Sequence, residues 1–373
     1  MKIGILTQPL HNNYGGLLQC FALQTVLKRM GHEPWVIERV SWKELSWPNS
    51  AKNIVKFILG KSDCLLSNRL QKDISRYTHS FVETNISPRT LKCYTSYSLK
   101  QECTKMDFGG YVVGSDQVWR PCYSPCITNY FLDFAKDWQV RKIAYAASFG
   151  VDEWEFSKRE TAVCSDLLRL FDAVSVRESS GVELCQEYLN RFDAVHVLDP
   201  TMLLNQTDYE KLVHTANESK SSGSLFCYIL DEAVEKRMLI NEIAEKTGLI
   251  PFTCMPDVQP TASNIRTIGV EPCTYPSPTK WLRSFMDAKM VVTDSFHGCA
   301  FSIIFNKPFW VIGNKERGMS RFSSLLKLFA LESRLINLHE NISFSSDIDW
   351  AFVNELRQKL KMLSMDFLSK HCQ

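Results

Sequence analysis

The chain has 373 residues, 45% of them apolar, with 43 basic and 41 acidic side chains and a net charge of +2. The length exceeds the usual range of one domain, and the apolar share is enough for full cores. Near-balanced charge excludes a polyanion-coating protein, so no nucleic-acid partner is expected, while a local basic pocket stays compatible. Thirteen scattered cysteines, with only Cys122 and Cys126 closely spaced, read as free thiols in a reducing cytosol and not as a disulfide scaffold. The opening Met1-Lys2-Ile3-Gly4-Ile5-Leu6 lacks the apolar region of a signal peptide. No stretch approaches the roughly 20 apolar residues of a spanning helix. A cytoplasmic protein is expected, at most peripheral to the membrane.

Ile3 to Thr7 reads as a buried strand, followed by Asn13-Tyr14-Gly15-Gly16 and a helix from Leu17 to Met30 that Gly31 stops. With the strand Pro34 to Glu38 this makes one parallel βαβ unit. The Gly15-Gly16 pair lets backbone amides approach a ligand or the sheet, but the spacing of a dinucleotide fingerprint is absent. Ser41 to Cys93, with Trp42 and Trp47, reads as loop and helices. Tyr111 to Val113 is a strand whose tip, Gly114-Ser115-Asp116-Gln117, offers groups for sugar hydroxyls; a plain turn cap is the alternative. Arg141 to Gly150 is a strand with a small-residue tip, and Trp154 to Phe171 a helix. Ala173 to Glu178 is a strand ending at Arg177, before a helix from Ser179 to Leu189. An arginine there can hold a phosphate or carboxylate with two parallel hydrogen bonds, or form an ion pair with Glu178 or another nearby carboxylate.

Val195 to Thr201 closes the first domain, taken as residues 1–204 and as the acceptor side. The second, 205–345, is the donor side. Its strands are Leu225 to Leu230, Leu249 to Cys254, Ile268 to Val270, Met290 to Asp294 and Phe309 to Gly313. Helices are expected over Ala233 to Thr247, Pro278 to Phe285, Cys299 to Phe305 and Ser323 to Ala330. A last helix, within 346–373, packs back toward the first domain. The fold class is therefore α/β, two Rossmann-like domains with a cleft between their carboxyl strand edges.

Val291-Val292-Thr293-Asp294-Ser295-Phe296-His297-Gly298 sets an imidazole at the end of a strand, where the next helix's amides favour an anion. Histidine has the intrinsic pKa for proton transfer near neutrality. Arg177, Lys315, Arg317 and Arg321 also fall on strand tips or just beyond, which suits a small dianionic or trianionic ligand. No metal is expected, because the histidines and acids lack ligand spacing; Gly-x-Ser-x-Gly is missing, and Cys299 would point away from His297.

Asn12-Asn13-Tyr14-Gly15-Gly16-Leu17-Leu18-Gln19, Val113-Gly114-Ser115-Asp116-Gln117-Val118-Trp119, Ser175-Val176-Arg177-Glu178, Asp199-Pro200-Thr201 and Thr293-Asp294-Ser295-Phe296-His297-Gly298 together resemble the polysaccharide pyruvyl transferase family, in its order. The resemblance implies a GT-B-like fold and transfer of the pyruvate unit of phosphoenolpyruvate to a sugar, with a cyclic ketal and phosphate as products. It makes His297 the active-site histidine, with Asp294 beside it, and Arg177 a donor-binding residue. Lys315 matches the family's later basic residue, with Arg317 and Arg321 as further donor contacts. Asn13, Tyr14, Gly15, Gly16, Asp116 and Gln117 fall to the acceptor side or the cleft. Phosphoenolpyruvate is a co-substrate, and no cofactor is required. The expected partner is a sugar acceptor, in particular a lipid-linked oligosaccharide at the inner membrane face. Competing readings are a nucleotide-sugar glycosyltransferase, told apart by nucleotide release, and a noncatalytic glycan-binding or assembly protein.

Overall fold

Short apolar runs without alternation suit strands covered on both faces. In the computed structural model, which describes residues 1–41, 68–231, 233–313, 319–336 and 347–373, eleven such strands build two parallel sheets. The first contains β1 (Lys2–Leu6), β2 (Glu33–Val36), β3 (Gly110–Val113), β4 (Arg141–Ala147), β5 (Ala173–Val176) and β6 (Val195–His196), in the order β2-β1-β3-β4-β5-β6. The second contains β7 (Leu225–Tyr228), β8 (Pro251–Phe252), β9 (Met290–Thr293), β10 (Phe309–Ile312) and β11 (Leu335–Ile336), in the order β11-β10-β9-β7-β8. Each sheet reverses its direction of growth once, between β1 and β3 and between β7 and β9. Those two switch points are where an open parallel sheet leaves a crevice at its carboxyl edge.

The helices that open at these edges start earlier than their apolar periodicity suggests. Asn13 accepts a hydrogen bond from the Gly16 amide, 3.2 Å, and this cap starts the first helix at Tyr14 (Tyr14–Arg29). Ser295 caps the helix Phe296–Ile304 in the same way, so His297 lies in its first turn. The expected strand Ile268 to Val270 is instead the end of a helix, Ala262–Ile268, stopped by Gly269 at φ 94°. Thr261 accepts from the Asn264 amide, 3.1 Å, and this local cap outweighs the β-branched residues that suggested a strand. Residues 68–93 bring the helices Asn68–Ile74 and Arg76–Asn85; Trp42 and Trp47 lie outside the described residues.

One hydrophobic core runs through both halves, from Leu17, Leu18 and Met202 to Trp281, Phe285 and Phe301. Tyr14 stacks on Trp281 with centroids 5.8 Å apart, and Tyr209 meets Phe301 edge-on at 4.9 Å. The last helix, Trp350–His371, returns to the first sheet. Its Ser364 hydroxyl accepts from the Leu198 amide at 3.0 Å, and Phe367 packs 6.2 Å from Tyr145. Buried Arg357 on this helix donates to the carbonyls of Leu204 and Ile304, 3.4 Å each, one from either half. Among the described residues, no helix is long and apolar enough to cross a membrane.

Candidate active site

The site is built where the two carboxyl edges meet. Gln19 ties the tips of β1 and β3: its amide nitrogen donates to Thr7 Oγ1, 2.7 Å, and its oxygen accepts from the Ser115 amide, 3.0 Å. Thr7 Oγ1 donates in turn to the Ser115 carbonyl, 3.1 Å. This lattice holds Asp116 in the left-handed region, φ 67°, with its carboxylate toward Arg177. Arg177, at the tip of β5, donates to Asp116 Oδ1 at 3.2 Å and to Asp199 Oδ2 at 2.9 Å, and its guanidinium lies 4.3 Å from the centre of the Phe296 ring. Glu178 is not its partner; that carboxylate accepts from the amides of Phe149 and Gly150. Burial pulls the Arg177 pKa down, but Asp116, Asp199 and Glu178 outweigh it and hold it above the ordinary arginine value.

Asp199 follows β6. Its Oδ1 accepts from the Thr201 amide, 2.9 Å, and hydroxyl, 2.7 Å, which starts the short turn Pro200–Leu203. Its Oδ2 faces Arg177, the Ser115 hydroxyl at 3.3 Å, and His297 Nε2 at 3.6 Å. The last separation is that of an ion pair rather than a hydrogen bond, and no described residue lies within hydrogen-bond reach of Nε2. Burial pushes the Asp199 pKa up, yet His297 and then Arg177 pull it well below the usual carboxylate range. On its other side the imidazole lies against Gly15: a Cβ there would stand 2.0 Å from His297 Nδ1. The ring of the second half is thus clasped by two elements of the first.

Arg321 is a second buried guanidinium here. Burial and then the neighbouring Arg177 push its pKa down to about 10, against the opposing pull of Asp116 and Glu178. The start of its helix, Ser320–Leu328, meets the start of Ser179–Leu189 through the Ser324 and Ser179 hydroxyls, 3.0 Å apart. Helix amino termini from both halves therefore converge near the two guanidiniums, a setting that favours an anion.

His297, Arg177, Arg321, Gly15 and Asp116 come together. Asn13 joins them through its amide, 3.5 Å from Asp116 Oδ2, and Gly16 through its bond to Asn13. Tyr14 lies instead in the shared core, its ring on Trp281. Gln117 is tied into the first half, its carbonyl accepting from Gln8 and its side chain from Arg120. Asp294, expected beside His297, is engaged elsewhere: Lys236 Nζ lies 2.6 Å from Oδ2, and the amides of Leu230 and Asp231 donate to its two oxygens. It closes the β7–β9 switch point as a buried ion pair. Lys315 and Arg317 lie outside the described residues. Asp199 and Phe296 lie in two of the runs that carry the family resemblance, but neither was singled out by sequence as a site residue. Among the described residues, no three of His, Cys, Asp and Glu gather as a metal site.

The model of the family described as "Polysaccharide pyruvyl transferase" matches residues 13–316. The chain belongs to the polysaccharide pyruvyl transferase family. It is thereby a transferase. No curated protein matches it. Among solved structures it is similar to the UDP-GlcNAc 2-epimerase of Neisseria meningitidis bound to UDP-GlcNAc, at 10% identity and TM-score 0.49, covering 100% of this chain and 94% of that one. A UGT transferase from Siraitia grosvenorii in complex with UDP matches at 10% and 0.46, covering 99% of this chain and 98% of that one. A glycosyltransferase from Rickettsia africae matches at 8% and 0.49, covering 99% and 94%. The α/β class and the two parallel sheets of this pyruvyl transferase family member rest on its own strand order.

Proposed function

We propose that this transferase moves the pyruvate unit of phosphoenolpyruvate onto two hydroxyls of one sugar. The observation that carries the reading is the meeting of His297 with Arg177 across a single carboxylate oxygen, in a member of the polysaccharide pyruvyl transferase family. In the proposed sequence, C3 of phosphoenolpyruvate takes a proton while a sugar hydroxyl adds to C2 and gives up its own. The C2–O bond to phosphate then breaks, and a second hydroxyl of the same sugar closes the ketal, losing its proton. His297 serves as a proton donor or acceptor in these steps. Arg177 and Arg321 face the phosphate and carboxylate of the donor, offsetting charge that builds on the leaving group. Lys315 and Arg317 are further candidates for that task.

The acceptor is proposed to be a lipid-linked oligosaccharide, presented to a cytoplasmic enzyme at the inner membrane face. The test is incubation with phosphoenolpyruvate and a panel of lipid-linked and synthetic sugars. A product heavier by one pyruvate ketal, with stoichiometric inorganic phosphate, is expected. Release of nucleotide from a nucleotide-sugar instead would overturn the reading. In the same assay His297→Ala should lose about 10²–10⁴ in turnover with its fold retained, the usual cost of removing a positioned acid–base group.

A further inference from the structure

The structure assigns Asp199 as the positioning residue of His297: we infer that its Oδ2 holds the imidazole proton on Nε2 and leaves Nδ1 as the basic nitrogen. The inference rests on His297 being the proton-transfer group proposed above, but its geometry stands apart from that chemistry. The two oxygens of Asp199 divide their tasks. Oδ1 is occupied by the amide and hydroxyl of Thr201 and so belongs to the local cap. Oδ2 has no part in that cap; it faces Arg177, Ser115 and His297 Nε2.

Each neighbour of Oδ2 is fixed by something else. The single hydroxyl proton of Ser115 points to the nearer Ala146 carbonyl, 2.7 Å. Arg177 is held by Asp116 and Phe296. His297 has Gly15 against its opposite edge, so its ring has little room to turn. An ionised carboxylate accepts only, and with no described residue within hydrogen-bond distance of Nε2, the negative charge of Oδ2 at 3.6 Å decides where the proton sits. The proton therefore belongs on Nε2. A carboxylate in this position sets tautomer and orientation and stabilises the imidazolium when it forms, as the buried aspartate does in serine-protease triads. Here it also links the proton-transfer group to Arg177, so that the donor-binding cation and the imidazole share one anchor.

Asp199→Ala gives the test. It removes Oδ2, so Nε2 loses the carboxylate that holds its proton and the form protonated on Nδ1 gains population. Two-bond ¹H–¹⁵N correlation spectra of the protein at about pH 9 report the tautomer. His297 is assigned by the signal lost in His297→Gln. The wild type should carry the proton on Nε2, and Asp199→Ala should show a mixture of the two tautomers. Asp116→Asn, which removes Arg177's other carboxylate, should keep the wild-type tautomer. A wild-type proton on Nδ1, or an unchanged tautomer in Asp199→Ala, overturns the inference; the wild-type spectrum decides alone if the variant does not fold. Turnover of phosphoenolpyruvate should fall about 10²–10⁴-fold in Asp199→Ala. If the tautomer changes while His297→Gln keeps full turnover, Asp199 positions His297 as inferred and the acid–base reading is what fails.

Discussion

A glycine decides how close the two halves come at the imidazole. A Cβ on Gly15 would lie 2.0 Å from Nδ1, 2.2 Å from Cγ and 2.7 Å from Cβ of His297. Gly15→Ala should therefore push the ring off Asp199 and abolish most turnover, while overpacking of this kind costs about 1–3 kcal/mol in stability. Turnover and urea unfolding measured together would separate the two effects; an alanine enzyme with normal turnover would show that the ring position is not critical. Asp199 has a consequence for acid stability. Its pKa in the fold is depressed from an ordinary 3.8, so the stability it contributes is present above that value and is lost as the pH falls through and below it. Unfolding free energy should drop as the pH is lowered below about 3.8, and less steeply in Asp199→Asn. Equal slopes in the two proteins would mean that the carboxylate gains nothing from His297 and Arg177.

At the scale of elements, the site depends on where one helix begins. The helix Phe296–Ile304 starts so close to β9 that a Cβ on Gly298 would stand 2.2 Å from Thr293 Oγ1. That hydroxyl cannot easily give way, because it donates to the Tyr228 carbonyl, 2.8 Å, and accepts from the Ser295 amide, 3.1 Å. Gly298→Ala should cost about 1–3 kcal/mol in chemical unfolding and shift the first turn that carries His297. Asp294 belongs to this same scale. It follows β9, ties the turn after β7 and neutralises Lys236, so it supports the strand edge from behind. A polar residue at a strand tip can face a ligand or brace the tip, and residue type does not distinguish the two. Its partners here, two backbone amides and a lysine 58 residues away in the chain, emerge only from the packing.

The whole molecule places like charges together at the junction of its halves. Burial and Arg177 lower the Arg321 pKa to about 10, so at neutral pH the cation is held at a cost that rising pH would relieve. A bound anion relieves it too. Phosphoenolpyruvate should raise the melting temperature of the wild type, with a contribution of about 2.7 kcal/mol at 100 times its Kd. Arg321→Ala should lose most of that increase. Thermal melts with and without phosphoenolpyruvate would check it, and an undiminished shift in the variant would remove Arg321 from the donor site. The shared core and the returning helix Trp350–His371 matter for the same reason: Arg357 grips carbonyls of both halves, which keeps the imidazole of one beside the carboxylate of the other.

Most strands, their parallel sense and the tips carrying His297, Arg177 and Asp116 were legible in the sequence, because apolar runs ended by small and polar residues are local features; the expected strand at Ile268 to Val270 and the unexpected β11 are the exceptions. Helix starts were legible less well, since the caps at Asn13 and Ser295 draw residues into the first turn that periodicity leaves outside. The sequence by itself determined which chemical groups stand at the strand edges and which family's order they follow. Only the tertiary structure decided that Asp199, not Asp294, faces the imidazole, and that Tyr14 belongs to the core. Those outcomes depend on pairings across about 98 and 267 residues of chain, set by how two sheets pack together, and local residue patterns carry no record of that packing.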